Sequence, residues 1–98
     1  MNELSPVQKN ELRLAVLRVL AVRHPSALTA RQIAHRAAAE VDFAIRETDV
    51  VSALELLRSL TPPDAEAIPD PLGATLYWRA TGNGVIALER RHNLIGKD

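Results

Sequence analysis

The chain has 98 residues, 12 of them Lys or Arg and 12 Asp or Glu, so its formal net charge is zero; 47% of residues are hydrophobic, 24% charged and 3% aromatic. These figures describe one ordinary globular domain and exclude a disordered chain. There is no cysteine, which rules out a disulfide framework, a zinc ribbon and a thiol nucleophile.

The longest stretch without a charged side chain is Ala80 to Leu88, far below the ~20 apolar residues of a membrane-spanning helix. Glu3, Lys9 and Glu11 precede the first apolar run, which is not the pattern of a secretory signal. A cytoplasmic protein is expected. Residues 1–98 read as a single domain, with a core from about 6 to 92 and a frayed tail over 93–98.

Ser5 followed by Pro6 marks the start of a first helix, because Ser caps and Pro tolerates the first helical position. The helix should run to Arg23, ahead of Pro25. Leu12, Ala15, Val16, Val19 and Leu20 form one apolar face. Leu14, Leu17 and Ala21 form a second stripe, facing either later segments of the chain or another subunit. His24, at the helix end, is placed to cap the last carbonyls.

Thr29 caps a second helix with a narrow face of Ile33, Ala34, Ala37 and Ala38. It fades near Val41. A connector follows, with Phe43 and Ile45 as core plugs. A third helix runs from Thr48 or Asp49 to Leu60, with Val50, Ala53, Leu54, Leu57 and Leu60 inward. A hairpin comes next. Asp70-Pro71-Leu72-Gly73 has the residues of a type I turn, between short strands at Ala65–Pro69 and Thr75–Ala80. The prolines at 69 and 71 suit an edge strand. Thr81 then caps a last helix from about Asn83 to His92, with Val85, Leu88 and Ile86 toward the core.

This order, three helices, a β-hairpin and a closing helix, resembles the winged-helix (winged helix-turn-helix) family. Leu28-Thr29 is similar to its short strand and cap, and Ile33-Ala34 to a pair on its second helix. Val50, Leu54 and Leu57 resemble the inner face of its recognition helix. Tyr77, Thr81 and Gly84 resemble the pattern where the wing enters the last helix. The link from Val41 to Glu47 departs from the family: it is longer than the usual tight turn and has no glycine. The resemblance implies a mostly α, α+β fold with a helix-turn-helix core, a β wing and a closing C-terminal helix. A helical bundle with an appended hairpin is the competing arrangement.

The family resemblance further implies duplex DNA as a partner, read by the third helix and the wing. The charges complicate that expectation. Residues 1–46 carry seven basic and four acidic groups, residues 47–70 one basic and six acidic, and residues 71–98 four basic and two acidic. The net charges are therefore +3, −5 and +2. The negative block falls on the third helix, whose outward positions are Thr48, Ser52, Glu55 and Ser59, with Val51 and Leu56 on the shoulders. Base reading usually relies on Arg, Lys, Asn or Gln, and none points outward there. Arg31, Arg36, Arg46 and Arg79 flank it and would meet phosphates if they are not held by nearby acids. Single strands need several aromatic platforms. Tyr77 and Trp78 are neighbours in a strand and so point to opposite faces.

No catalytic constellation emerges. His24, His35 and His92 do not form a metal-binding pair. Gly82-Asn83-Gly84 has neither the length nor the lysine of a phosphate loop. The expectation is a non-enzymatic protein without cofactor or metal: a small DNA-binding, regulator-type winged helix acting as a homodimer. Its nucleic-acid contacts would be Arg31, Arg36, Arg46, Thr48, Ser52 and Arg79, and its partner surface Leu14, Leu17, Ala21 and Leu56, extended by Leu94 and Ile95. The alternative is a winged-helix protein-interaction or dimerisation module that does not bind DNA.

Overall fold

A computed structural model describes residues 3–96, with side chains as far as Arg91. The elements are α1 (Pro6–Arg23), β1 (Leu28–Thr29), α2 (Ala30–Ala38), α3 (Glu47–Ser59), β2 (Ala65–Pro69), β3 (Leu76–Ala80) and α4 (Gly82–Gly96). The first two helices start on reciprocal caps. The Ser5 hydroxyl accepts the Gln8 N–H at 3.1 Å while the Gln8 side chain accepts the Ser5 N–H at 2.9 Å. Thr29 and Gln32 repeat the arrangement at 3.2 and 2.9 Å. Each box satisfies two backbone donors that a helix start leaves without partners.

Helix α1 is the central element and packs against α2, α3, β3 and α4. Its buried face takes in the first stripe and one residue of the second. It holds Leu12, Ala15, Val16, Val19 and Leu20, and also Leu17, which is 5% exposed. Leu17 therefore belongs to the core and offers no surface to a second copy. Leu14 and Ala21, from the same stripe, are half-buried. On α2 the inward residues are Ile33 and Ala37, with Ala34 half-buried. Ala38 is exposed instead, because the helix ends there.

Phe43 and Ile45 of the connector pack against the core as expected. They anchor the link that joins α2 to α3 without a glycine turn. Helix α3 begins at Glu47, with Arg46 as its N-cap residue. Val50, Ala53, Leu54 and Leu57 are buried. Leu60 is 40% exposed: the backbone turns extended at this residue, so the helical spacing that put it inward no longer applies.

The sheet order is β1-β3-β2, all antiparallel, with Leu28 opposite Trp78 and Ala67 opposite Trp78 on the other side. Strand β2 takes the edge, where Pro69 forfeits no ladder hydrogen bond. Alternation sends Ala65, Ala67, Trp78 and Ala80 to the core. The small alanines leave room for the indole. The Arg58 guanidinium of α3 lies 5.9 Å from the Trp78 ring centre. The other face pairs Glu66 with Arg79 and Ile68 with Tyr77. At the hairpin tip the Asp70 carboxylate accepts the Leu72 N–H at 3.0 Å, and the Asp70 carbonyl accepts the Gly73 N–H at 3.3 Å.

The last helix is fastened to the connector before β2. The Thr81 hydroxyl donates to the Pro63 carbonyl at 2.7 Å and accepts the Gly84 N–H at 2.9 Å. The Thr81 N–H donates to the Asp64 carbonyl at 3.0 Å. Replacing Thr81 with Val keeps the shape and removes both hydroxyl bonds. The expected loss is about 1–2 kcal/mol, measurable as a lower urea midpoint at unchanged m-value. Helix α4 continues to Gly96, beyond the expected end at His92. The side chains of His92, Leu94 and Ile95, and residues 97–98 of the expected frayed tail, lie outside the described residues. His24 does not cap α1 with its ring. Its N–H bonds the Ala21 carbonyl, and its Nδ1 lies 3.0 Å from the Ala80 carbonyl. The ring thus ties the end of α1 to the end of β3.

Candidate nucleic-acid interface

The outer face of α3 is open. Thr48, Ser52, Glu55 and Ser59 are exposed, Val51 is half-buried, and Leu56 is 42% exposed. A cleft of about 380 Å³ separates this face from the first turns of α1. Its walls include Arg46, Thr48, Asp49, Ser52 and Leu56 on one side and Lys9, Leu12 and Arg13 on the other, with Glu3 and Leu4 at the end. Three cations and two carboxylates therefore share a site whose floor is apolar.

The acids of the negative segment are mostly engaged within the chain. Arg46 Nη2 lies 3.2 Å from Asp49 Oδ1, Arg79 Nε lies 2.6 Å from Glu66 Oε2, and Arg58 pairs with Glu55. Asp64 accepts from the Asn83 side chain at 2.9 Å, and Asp70 is occupied by its own turn. Three of the six carboxylates of residues 47–70 thus have an arginine partner; Asp64 and Asp70 bond neutral donors and keep their charge, and Glu47 is exposed with no ion-pair partner among the described residues.

Asp49 is the most embedded of these groups, its side chain only 15% exposed. Burial pushes its pKa up, but the side-chain and backbone hydrogen bonds from Arg46, with the positive charges of Arg46 and Lys9, outweigh burial and hold it below the ordinary 3.8. A carboxylate with a lowered folded-state pKa stabilises the fold above its unfolded pKa, and that contribution fades as pH falls through the folded value. Asp49→Asn should therefore cost about 1 kcal/mol at pH 7. The gap to wild type should narrow from about pH 4 downward. Thermal melts of both proteins across pH 2–7 check this.

Of the sequence-predicted contact residues, some border the cleft and some do not. Arg46, Thr48 and Ser52 line the cleft together, and Leu56, expected at a partner surface, joins them. Arg31 and Arg36 are exposed on α2, five residues and so about 140° apart around the helix. Neither pairs with an acid among the described residues. Arg79 lies on the sheet face away from the core, held by Glu66. The cleft also takes in Lys9 and Arg13, which the sequence reading did not single out. They stand four apart on one side of α1, a spacing visible in the sequence, but nothing local links that side to α3.

Neither a protein-family model nor a curated protein matches the chain. Solved structures do. A transcriptional regulator from Clostridium thermocellum superposes with TM-score 0.70 at 16% identity, covering 97% of this chain and 89% of its own. ZitR from Lactococcus lactis matches with TM-score 0.65 at 18% identity, over 91% of this chain and 60% of its own. The adhesin competence repressor of Streptococcus pyogenes gives 0.55 at 16% identity, over 85% and 59%.

The chain has a winged-helix fold.

In the terms of that fold, α2 and α3 are the helix-turn-helix pair, the β2–β3 hairpin is the wing, and β1 completes the wing's sheet. The winged-helix domain spans about 60% of the ZitR chain it matches. None of its described helices is long and apolar enough to cross a membrane.

Proposed function

We propose that this winged-helix domain is a non-enzymatic, DNA-binding module of the transcriptional-regulator type, acting in the cytoplasm as a homodimer without a cofactor. The observation that carries the proposal is the outer face of α3. It is open and polar at Thr48 and Ser52, its acids are largely bonded within the chain, and Arg46 sits beside it with most of its side chain in solvent. The similarity to a transcriptional regulator over nearly the whole chain supports the same reading.

In this reading Thr48 and Ser52 approach base edges, while Arg46, Arg31 and Arg36 meet phosphates. The Arg46 side chain is 58% exposed, and Asp49 keeps the Arg46 backbone N–H at 2.8 Å when the guanidinium turns from its carboxylate to a phosphate. Leu14 and Ala21 are the candidate contacts for a second copy. Sedimentation should then return twice the 10.7 kDa chain mass.

Fluorescence polarisation with a mixed-sequence duplex at low salt tests the DNA reading. Binding is expected with a Kd of about 10⁻⁴–10⁻⁶ M near physiological salt, tightening as salt falls. Arg46→Glu should weaken it by about tenfold or more, since it removes one phosphate contact and adds a repulsion. Absence of binding at the lowest salt tested ends the reading.

A further inference from the structure

We propose that the DNA backbone is held in the cleft between α1 and α3, by Lys9 and Arg13 of α1 together with Arg46, and that the wing makes no phosphate contact. This rests on the DNA-binding reading above and specifies where the duplex lies.

Two independent observations carry it. The first is the cleft. Lys9 and Arg13 border the same space as Thr48 and Ser52 of α3, and Lys9 lies close enough to Asp49 for its charge to help lower that carboxyl's pKa. Any strand that reaches the outer face of α3 from this side passes both cations. Arg13 has only a 3.3 Å contact to the Asn10 side chain to give up, and neither cation has an ion-pair partner among the described residues.

The second observation is the charge of the wing. From residue 59 to residue 78 there is no Lys, Arg or His, while Asp64, Glu66 and Asp70 are present. The one cation at its base, Arg79, is taken up by Glu66 at 2.6 Å. The tip is apolar, with Leu72 96% exposed between Pro71 and Gly73. A hairpin with a net negative charge gains nothing from approaching a phosphate backbone, and phosphate neutralisation supplies most of the affinity in such complexes. The attraction is therefore concentrated at the α1 end of α3, away from the wing.

The test is a salt titration of duplex binding for four proteins: wild type, Lys9→Gln, Lys9→Gln with Arg13→Gln, and Arg79→Gln with Leu72→Ser. Each phosphate contact contributes about 0.9 to the slope of log K against log salt. The double α1 variant should lower that slope by nearly two and weaken low-salt binding at least tenfold. Lys9→Gln alone should show about half the slope change. The wing variant should bind within twofold of wild type. Lys9 and Leu72 are exposed and Arg13 and Arg79 half-buried, and matching thermal melts exclude unfolding as the cause. If wild type binds DNA while the α1 variants keep its slope, the cleft assignment is wrong and the DNA reading stands. If the wing variant loses the affinity instead, the wing is the phosphate contact. If wild type does not bind, both readings fall together.

Discussion

Gly84→Ala is expected to lower the melting temperature by about 10–20 °C, the consequence of roughly 2–3 kcal/mol of overpacking in a domain of this size. The usual expectation has the opposite sign, since alanine is about 1 kcal/mol better than glycine inside a helix. Here a Cβ would fall onto the Asp64 carbonyl oxygen and lie 2.9 Å from its carbon and 3.1 Å from its Cα. All three are backbone atoms. Asp64 is held in place because its carbonyl accepts the Thr81 N–H and its own N–H donates to the Leu57 carbonyl. Relief would mean moving the start of α4 or the connector from α3, and each is bonded to the other through Thr81. Gly82→Ala is the control. Nothing lies within 4 Å of a Cβ there, so it should leave stability unchanged or raise it by up to about 1 kcal/mol. Calorimetric scans of the two variants beside wild type give the comparison directly. A Gly84→Ala protein that melts with wild type would show that the α4–connector contact is not tight.

This contact also gives a physical reason for a pattern the sequence carries only by resemblance. Thr81 and Gly84 are three residues apart because the threonine hydroxyl caps the N–H of the glycine while the glycine lets the helix sit on the Asp64 backbone. Other elements were legible from local chemistry alone. Ser5-Pro6 and Thr29 start their helices because the cap is a property of four consecutive residues. Asp70-Pro71-Leu72-Gly73 makes its turn because the Asp side chain reaches only two residues along. Ala38 and Leu60 were misjudged because periodicity was carried to or past a helix end, and Ile86, expected toward the core, is 49% exposed within α4. Leu17 takes the first of the two roles left open for its stripe, burial against the chain itself: α1 is enclosed by four other elements, and no window of its own sequence records how many neighbours a helix has.

The candidate site was half legible for the same reason. Thr48 and Ser52 lie one turn apart on α3 and Arg46 is its N-cap residue, so their proximity could be read directly. Lys9 and Arg13 are more than thirty residues away in the chain, and only the packing of α1 on α3 brings them alongside. The negative charge of residues 47–70 is a correct count that does not say how much of it is paired. Charge per segment does not record where a carboxylate points. Asp49 turns back onto the Arg46 backbone, Glu55 and Glu66 meet arginines, Asp64 accepts from the Asn83 side chain, and Asp70 bonds within its own turn. Three of the six carboxylates thus have an arginine partner, and part of the arginine set is occupied by the same bonds.

Leu54 and Leu56 separate the two roles of α3, its packing and its surface. Leu54 is fully buried and Leu56 is 42% exposed, although they are two residues apart and chemically identical. Leu54→Ala opens a cavity beneath the helix and should cost about 2–5 kcal/mol. A domain of this size has roughly 5–15 kcal/mol in total, so the variant should show a large fall in its urea midpoint and, with little stability to spare, incipient unfolding at 37 °C. Leu56→Ala removes a side chain from the edge of the cleft, where water already reaches it, and should stay within about 0.5 kcal/mol of wild type. If the outer face of α3 meets DNA as proposed, Leu56→Ala alters affinity at unchanged stability. Leu54→Ala reduces binding only in proportion to the fraction unfolded, and excess ligand restores it, because a ligand that binds only the native state pulls the folding equilibrium toward it. Urea melts with and without a saturating duplex distinguish these outcomes. A Leu54→Ala protein as stable as wild type would mean that α3 is not anchored on the α1 core, and the cleft beside it would then have no fixed shape.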